Sequence, residues 1–175
     1  MRPHLLLAAA GLLSFTLAAR ADLTGNSIDA QYTYPTQTTL YQDLGTFTVP
    51  GGGNSFGETE YTITGDTITF TNIAGTDVTF TAAAFNGYKF VDLTGPTGIT
   101  GITLVDSPTG GFSAADASFD PDDIYFNFQS NVLAAGETVT YDLEFAPSSV
   151  PEPATLPMLA GLFGLAGILR RRLAH

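Results

Sequence analysis

Apolar and polar residues alternate along much of the chain, and the clearest alternation lies within residues 61–70. A two-residue turn at Gly65 and Asp66 would place Ile63 opposite Ile68 and each threonine opposite another threonine. Matched pairs of this kind stabilise neighbouring antiparallel strands. The segment therefore predicts a β-hairpin.

Other segments predict strands because they alternate with period two or are short apolar runs between turn residues. They are residues 28–34, 78–82, 85–93, 99–105, 124–128 and 139–145. The segment at 78–82 is expected to follow the hairpin as the next strand of a meander. No part of the middle of the chain repeats apolar residues with a helical period. The pattern predicts an all-β fold, an antiparallel β-sandwich of about seven to nine strands.

The N-terminal segment has the pattern of an export signal. A charged start is followed by an apolar run over residues 5–19 and by small residues at positions 19 and 21. This order predicts a secretory signal peptide over residues 1–21, cut between Ala21 and Asp22. The alternative, a transmembrane helix, is disfavoured because a bilayer span takes roughly 20 apolar residues.

A second apolar run, over residues 156–169, precedes Arg170, Arg171 and Arg172. It predicts a single transmembrane helix, with snorkelling arginines and local bilayer thinning extending its short reach. Basic residues that flank a span stay in the cytoplasm. The domain between the two apolar runs is therefore expected outside the cytoplasm.

Just before this run stand Val150, Pro151, Glu152 and Pro153. The two prolines keep the strip extended above the bilayer, because neither can continue a helix backwards. The motif, the apolar run and the basic stop together resemble the PEP-CTERM signal of exported bacterial proteins, here residues 150–175 with the motif at 150–155. The resemblance implies that exosortase, a membrane enzyme, cuts near the prolines with its own catalytic residues.

The resemblance also implies a route. Signal peptidase and exosortase would be the processing partners of a membrane-anchored precursor, and the outer surface or the extracellular matrix would be the destination. Extracellular polysaccharide is an implied neighbour there. The alternative fate is an anchored surface protein whose tail is never cut. The mature domain would be residues 22–149, enough chain for one hydrophobic core.

The composition of residues 22–149 excludes several functions. The domain has sixteen acidic residues and one lysine, a formal charge of −15, and it has no histidine, cysteine or arginine. Nucleic acid is excluded because one lysine provides no basic surface to neutralise its phosphates. Ser-His and Cys-His catalysis and zinc, copper or haem binding lack their usual side chains. We expect no enzyme and no cofactor other than calcium.

The densest acidic cluster precedes the strand at 124–128 and comprises Asp116, Asp120, Asp122 and Asp123. Calcium takes six to eight oxygen ligands, and carboxylates on a turn supply several of them. The cluster is therefore a candidate calcium site. The alternative is a solvated acidic turn, which an Asp-Pro pair at positions 120 and 121 would initiate.

Lys89 lies between Tyr88 and Phe90, which are predicted to face the core. Its own side chain should then point to the opposite face of the sheet. As the one cation of the domain, it is expected to pair with an outer carboxylate such as Glu144 or Asp142.

Two classes of function stay open at this point. The first is a structural protein of the envelope or matrix, with no enzymatic activity. The second is a calcium- or carbohydrate-binding β-sandwich module at the cell surface, in which loops bind the ligand and the sheets are scaffold. A cluster of exposed aromatic residues on one loop face, or melting that depends on calcium or glycan, would favour the second class.

Overall fold

The fold is known from a computed structural model that describes residues 22–55, 57–94, 98–106 and 108–147. In these ranges it is all-β, with one short 3-10 turn at Ala114–Asp116. The strands are β1 (Ser27–Thr33), β2 (Leu40–Thr48), β3 (Gly51–Ser55), β4 (Thr59–Ile63), β5 (Thr67–Asn72), β6 (Val78–Thr79), β7 (Gly87–Asp92), β8 (Ile99–Asp106), β9 (Ala117–Phe119), β10 (Asp123–Asn127), β11 (Val132–Leu133) and β12 (Thr138–Phe145).

Both sorting segments lie outside the described residues. These comprise the signal peptide with Ala21, the motif Val150–Pro153, the run 156–169 and the arginines 170–172. Within the described ranges, no helix has the length and apolar character that a bilayer span requires.

The strands form two five-stranded antiparallel sheets and a small ribbon. The first sheet has the order β2-β1-β7-β10-β9, and the second has the order β3-β4-β5-β12-β8. β6 and β11 pair with each other as the ribbon. The antiparallel all-β prediction is confirmed for the described part of the chain, with more strands than the pattern predicted.

The predicted hairpin is present with the predicted register. In the β4–β5 pair Ile63 lies opposite Ile68, and Tyr61 lies opposite Phe70. The turn is closed by the backbone N–H of Thr64, which donates to the carbonyl of Thr67 at 2.9 Å, an ordinary length for such a bond. Local alternation and turn chemistry were therefore sufficient to specify this element.

The predicted meander from the hairpin into residues 78–82 is wrong. Only Val78–Thr79 is a strand there, and it pairs with β11, while the neighbours of β5 are β4 and β12. The chain leaves the second sheet at Asn72, whose buried side-chain amide donates to the carbonyls of Thr76, at 2.9 Å, and Leu133, at 2.8 Å. These bonds direct the chain toward β11 rather than back along β5.

Aromatic rings from both sheets share one core. The ring centroid of Phe70, in the second sheet, lies 4.8 Å from that of Tyr88 and 5.0 Å from that of Phe126, both in the first sheet. Phe128 adds an edge-to-face contact with Phe70 at 4.9 Å. All four residues are fully buried, and burial of each such side chain stabilises the fold by about 1.5–3 kcal/mol. The two sheets therefore pack face to face as a sandwich.

Candidate functional sites: an acidic loop and a tyrosine pocket

The acidic loop, residues 116–123, is organised by Asp120. Its Oδ1 accepts hydrogen bonds from the backbone N–H groups of Asp122, at 3.0 Å, and Asp123, at 2.9 Å. The bond from Asp122, followed by those from Tyr125 and Asp123, lowers the pKa of the Asp120 carboxyl. The side chain thus holds the turn that leads into β10.

Asp116 makes its contacts elsewhere. Its Oδ2 accepts from the backbone N–H of Ser113 at 2.8 Å and from the Nδ2 of Asn131 at 3.0 Å. In the ranges that the structure describes, no three His, Cys, Asp or Glu side chains are grouped so as to hold a metal ion. The four aspartates of the calcium hypothesis therefore do not converge on one point in this part of the chain.

Lys89 pairs with a carboxylate of its own sheet. Its Nζ lies 2.8 Å from Oδ2 of Asp123 and 5.6 Å from the ring centroid of Tyr125. The predicted pairing with Glu144 or Asp142 is wrong, because both belong to β12 of the second sheet. The ion pair joins the neighbouring strands β7 and β10.

Tyr125 links this ion pair to the acidic loop. Its hydroxyl lies 2.7 Å from Oδ2 of Asp123 and 2.9 Å from Oδ2 of Asp120, so its one proton is shared between two acceptors. Burial, and then the hydrogen bonds to the two carboxylates, raise the pKa of Tyr125. Every polar group of this network has a partner inside the network, which fits a structural role in closing the loop.

A second feature is a cavity of about 460 Å³. We call it the tyrosine pocket after Tyr32, Tyr34 and Tyr41, which line it together with Glu58 from the β3–β4 connection. β6 and the residues that follow it form the remaining wall. The volume lies within the range of about 300–1,000 Å³ that small-molecule sites occupy.

The floor of the tyrosine pocket is fixed by a buried polar pair. The hydroxyl of Tyr32 donates to Oδ1 of Asn86 at 2.5 Å, and Nδ2 of Asn86 donates to the carbonyl of Thr81 at 2.9 Å. Burial, with smaller contributions from Glu58 and the other two tyrosines, raises the pKa of Tyr32. Its hydroxyl is therefore a neutral donor in this position.

A β-bulge positions Tyr41. The β1–β2 register passes from Gln42 opposite Tyr32 to Leu40 opposite Thr33, so two steps along β2 match one step along β1. Bulges of this kind redirect a side chain relative to the regular alternation. Tyr41 is 61% exposed and lines the pocket.

Edge-to-face contacts set the orientation of the Tyr41 ring. Its centroid lies 6.4 Å from that of Tyr32, at an interplanar angle of 70°, and 6.0 Å from that of Tyr34, at 89°. This is the geometry that aromatic quadrupoles favour. The three rings are held against one another before any ligand binds.

Sequence reasoning missed this pocket. Tyr32 and Tyr34 belong to the strand predicted at 28–34, but no strand was predicted around Tyr41, because the register shifts of β2 interrupt the period-two pattern. The one available signal was the local concentration of tyrosine, since three of the seven tyrosines of the chain fall within residues 32–41.

Comparison with known proteins bears on the tail alone. The family model of the PEP-CTERM protein-sorting motif matches residues 149–172, which include Val150, Pro151, Glu152 and Pro153. The resemblance predicted from the sequence is therefore confirmed: the chain carries a PEP-CTERM protein-sorting motif. No curated protein and no solved structure gives a significant match to the chain.

Proposed function

We propose that residues 22–149 are a non-enzymatic module of the cell envelope or extracellular matrix, delivered by the sorting tail. The observation that carries this proposal is the PEP-CTERM match at residues 149–172, which supports an exported, membrane-anchored precursor sorted to the cell surface. An all-β domain with a single core is compatible with such a destination.

The proposed route has two cuts. Signal peptidase removes residues 1–21, and the run 156–169 then anchors the precursor with Arg170–Arg172 on the cytoplasmic side. Exosortase cuts the extended strip near Pro151 and Pro153. Extracellular polysaccharide is the proposed neighbour of the released or transferred domain.

The start of the domain supports the first cut. Leu23 is fully buried, and its backbone N–H donates to the carbonyl of Gly65 at 2.8 Å. Among the described residues the core begins at Leu23, which is compatible with cleavage between Ala21 and Asp22.

Composition supports the absence of catalysis. The domain has no histidine, cysteine or arginine, and its one lysine forms the ion pair with Asp123. A histidine general base and a cysteine nucleophile are therefore missing from residues 22–149, which leaves carboxylates, hydroxyls and one paired lysine.

The intact mass of the protein, purified from native envelopes and from culture medium, tests the route. Expected termini are Asp22 and a residue between Val150 and Pro153. A product that retains residues 156–175 in both fractions would contradict exosortase processing and leave a permanently anchored surface protein. A product that retains residues 1–21 would contradict export through signal peptidase.

The alternative proposal is a binding module at the cell surface, with calcium or carbohydrate as the ligand. The tyrosine pocket favours this class over an inert scaffold, because it groups the exposed ring of Tyr41 and the half-buried ring of Tyr34 beside the buried ring of Tyr32. Calcium at the acidic loop is tested by thermal unfolding in calcium chloride and in magnesium chloride at the same concentration. A higher Tm in calcium supports a specific site, and equal values contradict it.

A further inference from the structure

The tyrosine pocket lies in a strongly acidic domain. Residues 22–149 hold sixteen acids and one lysine, and that lysine is bonded to Asp123 rather than lining the pocket. An anionic ligand would find no cationic side chain among the described lining residues. The net negative field of a protein raises the local concentration of cations. Charge therefore disfavours anions at this site and favours cations.

Glu58 contributes a negative charge at the pocket itself. Its backbone is held on both sides, since its N–H donates to the carbonyl of Ser55 and its carbonyl accepts from the N–H of Ile73, each at 2.9 Å. Its side chain is exposed and lines the pocket. Within the described part of the chain, no hydrogen-bond donor or cation engages its carboxylate. A bound cation would supply that counter-charge.

The three tyrosines add a second attraction for positive charge. The face of an aromatic ring is negative, and it attracts ammonium groups that come within about 6 Å of the centroid. Tyr32, Tyr34 and Tyr41 are already fixed by edge-to-face contacts, and Tyr32 is also held by Asn86. Little side-chain entropy would be lost when a ligand binds to rings that are ordered in advance.

From this juxtaposition of three tyrosine rings and an unengaged carboxylate, we infer that the tyrosine pocket binds a small organic cation with a substituted ammonium group, such as a quaternary amine. A metal ion would require several oxygen ligands, and the pocket brings a single carboxylate. A choline phospholipid carries a phosphate beside its ammonium group, which Glu58 and the field of the domain would repel. The ligand is therefore a free cation. This inference deepens the binding-module alternative and does not depend on the fate of the tail.

Calorimetric titration of the full-length protein tests the inference, in a polyoxyethylene detergent that lacks both sugar and choline head groups. The probes are choline chloride and its uncharged isostere dimethylbutanol, in which carbon replaces the quaternary nitrogen. The shape is matched, so a difference reports the charge. Choline should bind at least about tenfold more tightly than the isostere. Glycerophosphocholine, which adds the phosphate, should bind more weakly than choline.

Two pairs of variants locate the binding. Tyr41→Ala should weaken choline binding several-fold, whereas Tyr41→Phe keeps the ring face and should bind nearly as well as the wild type. Glu58→Gln should weaken choline binding several-fold. Glu60→Gln removes the same charge from an exposed position outside the pocket lining and should leave binding unchanged. Because all three residues are exposed, Tm should stay close to that of the wild type in each variant.

Several outcomes would overturn the inference. Equal affinity for choline and dimethylbutanol would show that charge is not recognised, and no heat with either would show that the pocket is not a cation site. Heat with glucose or another neutral sugar in the absence of a choline response would support a carbohydrate site instead. None of these results would alter the termini found by intact mass, so failure of the cation site and failure of the sorting route are separately visible.

Discussion

At the scale of the residue, the acidic loop shows how one carboxylate organises its neighbours. Asp120 accepts two backbone hydrogen bonds with one oxygen and lies within reach of the Tyr125 hydroxyl with the other. The carboxylate of Asp123 forms an ion pair with Lys89 and accepts a hydrogen bond from the hydroxyl of Tyr125. The carboxylates of Asp120 and Asp123 thus accept hydrogen bonds or an ion pair from the chain itself.

A pH-dependent prediction follows from Asp120. Because the hydrogen bond from Asp122 and its other partners lower the pKa of this carboxyl, the folded state favours the charged form. The stabilisation is present above the ordinary aspartate pKa of about 3.9 and is lost as pH falls through the lowered folded-state value. Asp120→Asn should therefore lower Tm at neutral pH, and the difference from the wild type should shrink in acid. Thermal unfolding followed by circular dichroism across pH measures this.

Asp106→Asn is the matched control for this experiment. Asp106 is exposed, and its carboxylate accepts no hydrogen bond from the described residues, so its replacement should change Tm little at any pH. A Tm difference for Asp120→Asn that stays constant from neutral to acid pH would contradict the role given to its charge.

At the scale of the element, the central strand β7 tolerates no side chain at Gly87. A Cβ placed there would lie 2.0 Å from the carbonyl oxygen of Phe126 in β10, far inside contact distance. β7 pairs with β1 on one side and β10 on the other. The close approach of the β7 and β10 backbones therefore explains why the first residue of β7 is a glycine.

Gly87→Ala should destabilise the protein by about 3 kcal/mol or more, because either β7 or β10 must move. Gly75→Ala is the control, since a Cβ there meets nothing within 4 Å, and it should stay within about 0.5 kcal/mol of the wild type. Urea unfolding of both full-length variants measures the difference. Equal midpoints for the two variants would contradict the close approach of β7 and β10.

Among the elements, the inner strands and the edge strand β8 were predictable from the sequence, whereas the edge strands β2 and β3 were not. β4, β5 and β12 alternate buried and exposed or half-buried positions with period two. β2 and β3 lie at the edges of the two sheets. β2 has two register shifts against β1, and β3 begins with three glycines. β2 has no regular burial alternation, and the glycines of β3 carry no side chains, so neither strand leaves a period-two pattern of apolar residues in the sequence.

At the scale of the whole molecule, charge opposes folding. In a domain with a formal charge of −15, the negative side chains repel one another more strongly when the chain is compact. Salt screens this repulsion over a Debye length of about 8–10 Å at physiological ionic strength. The core of aromatic rings must offset this repulsion without disulfides, because the chain has no cysteine.

Raising sodium chloride from low to physiological concentration should therefore raise Tm by a few degrees. Differential scanning calorimetry of the full-length protein at neutral pH measures the shift. A variant in which exposed acids such as Glu60 and Asp106 are replaced by amides should respond less steeply. A Tm that falls with salt in the wild type would contradict net repulsion as the dominant electrostatic effect.

The sequence alone determined the features that are encoded locally. The sorting motif is a contiguous run of residues, the all-β class follows from period-two alternation, and the β4–β5 hairpin follows from its turn and its matched side chains. Each of these depends on residues close together in the chain, so the pattern that specifies them can be recognised without knowing the fold.

Only the tertiary structure decided which distant residues meet. β5 lies beside β12 and β1 beside β7, Lys89 pairs with Asp123 rather than with β12, and a bulge brings Tyr41 to Tyr32 and Tyr34 beside Glu58. The alternation of apolar residues is compatible with many strand orders, because each of them would bury the same apolar faces. The choice among them depends on close packing and on buried hydrogen bonds such as those of Asn72, which join residues far apart in the chain.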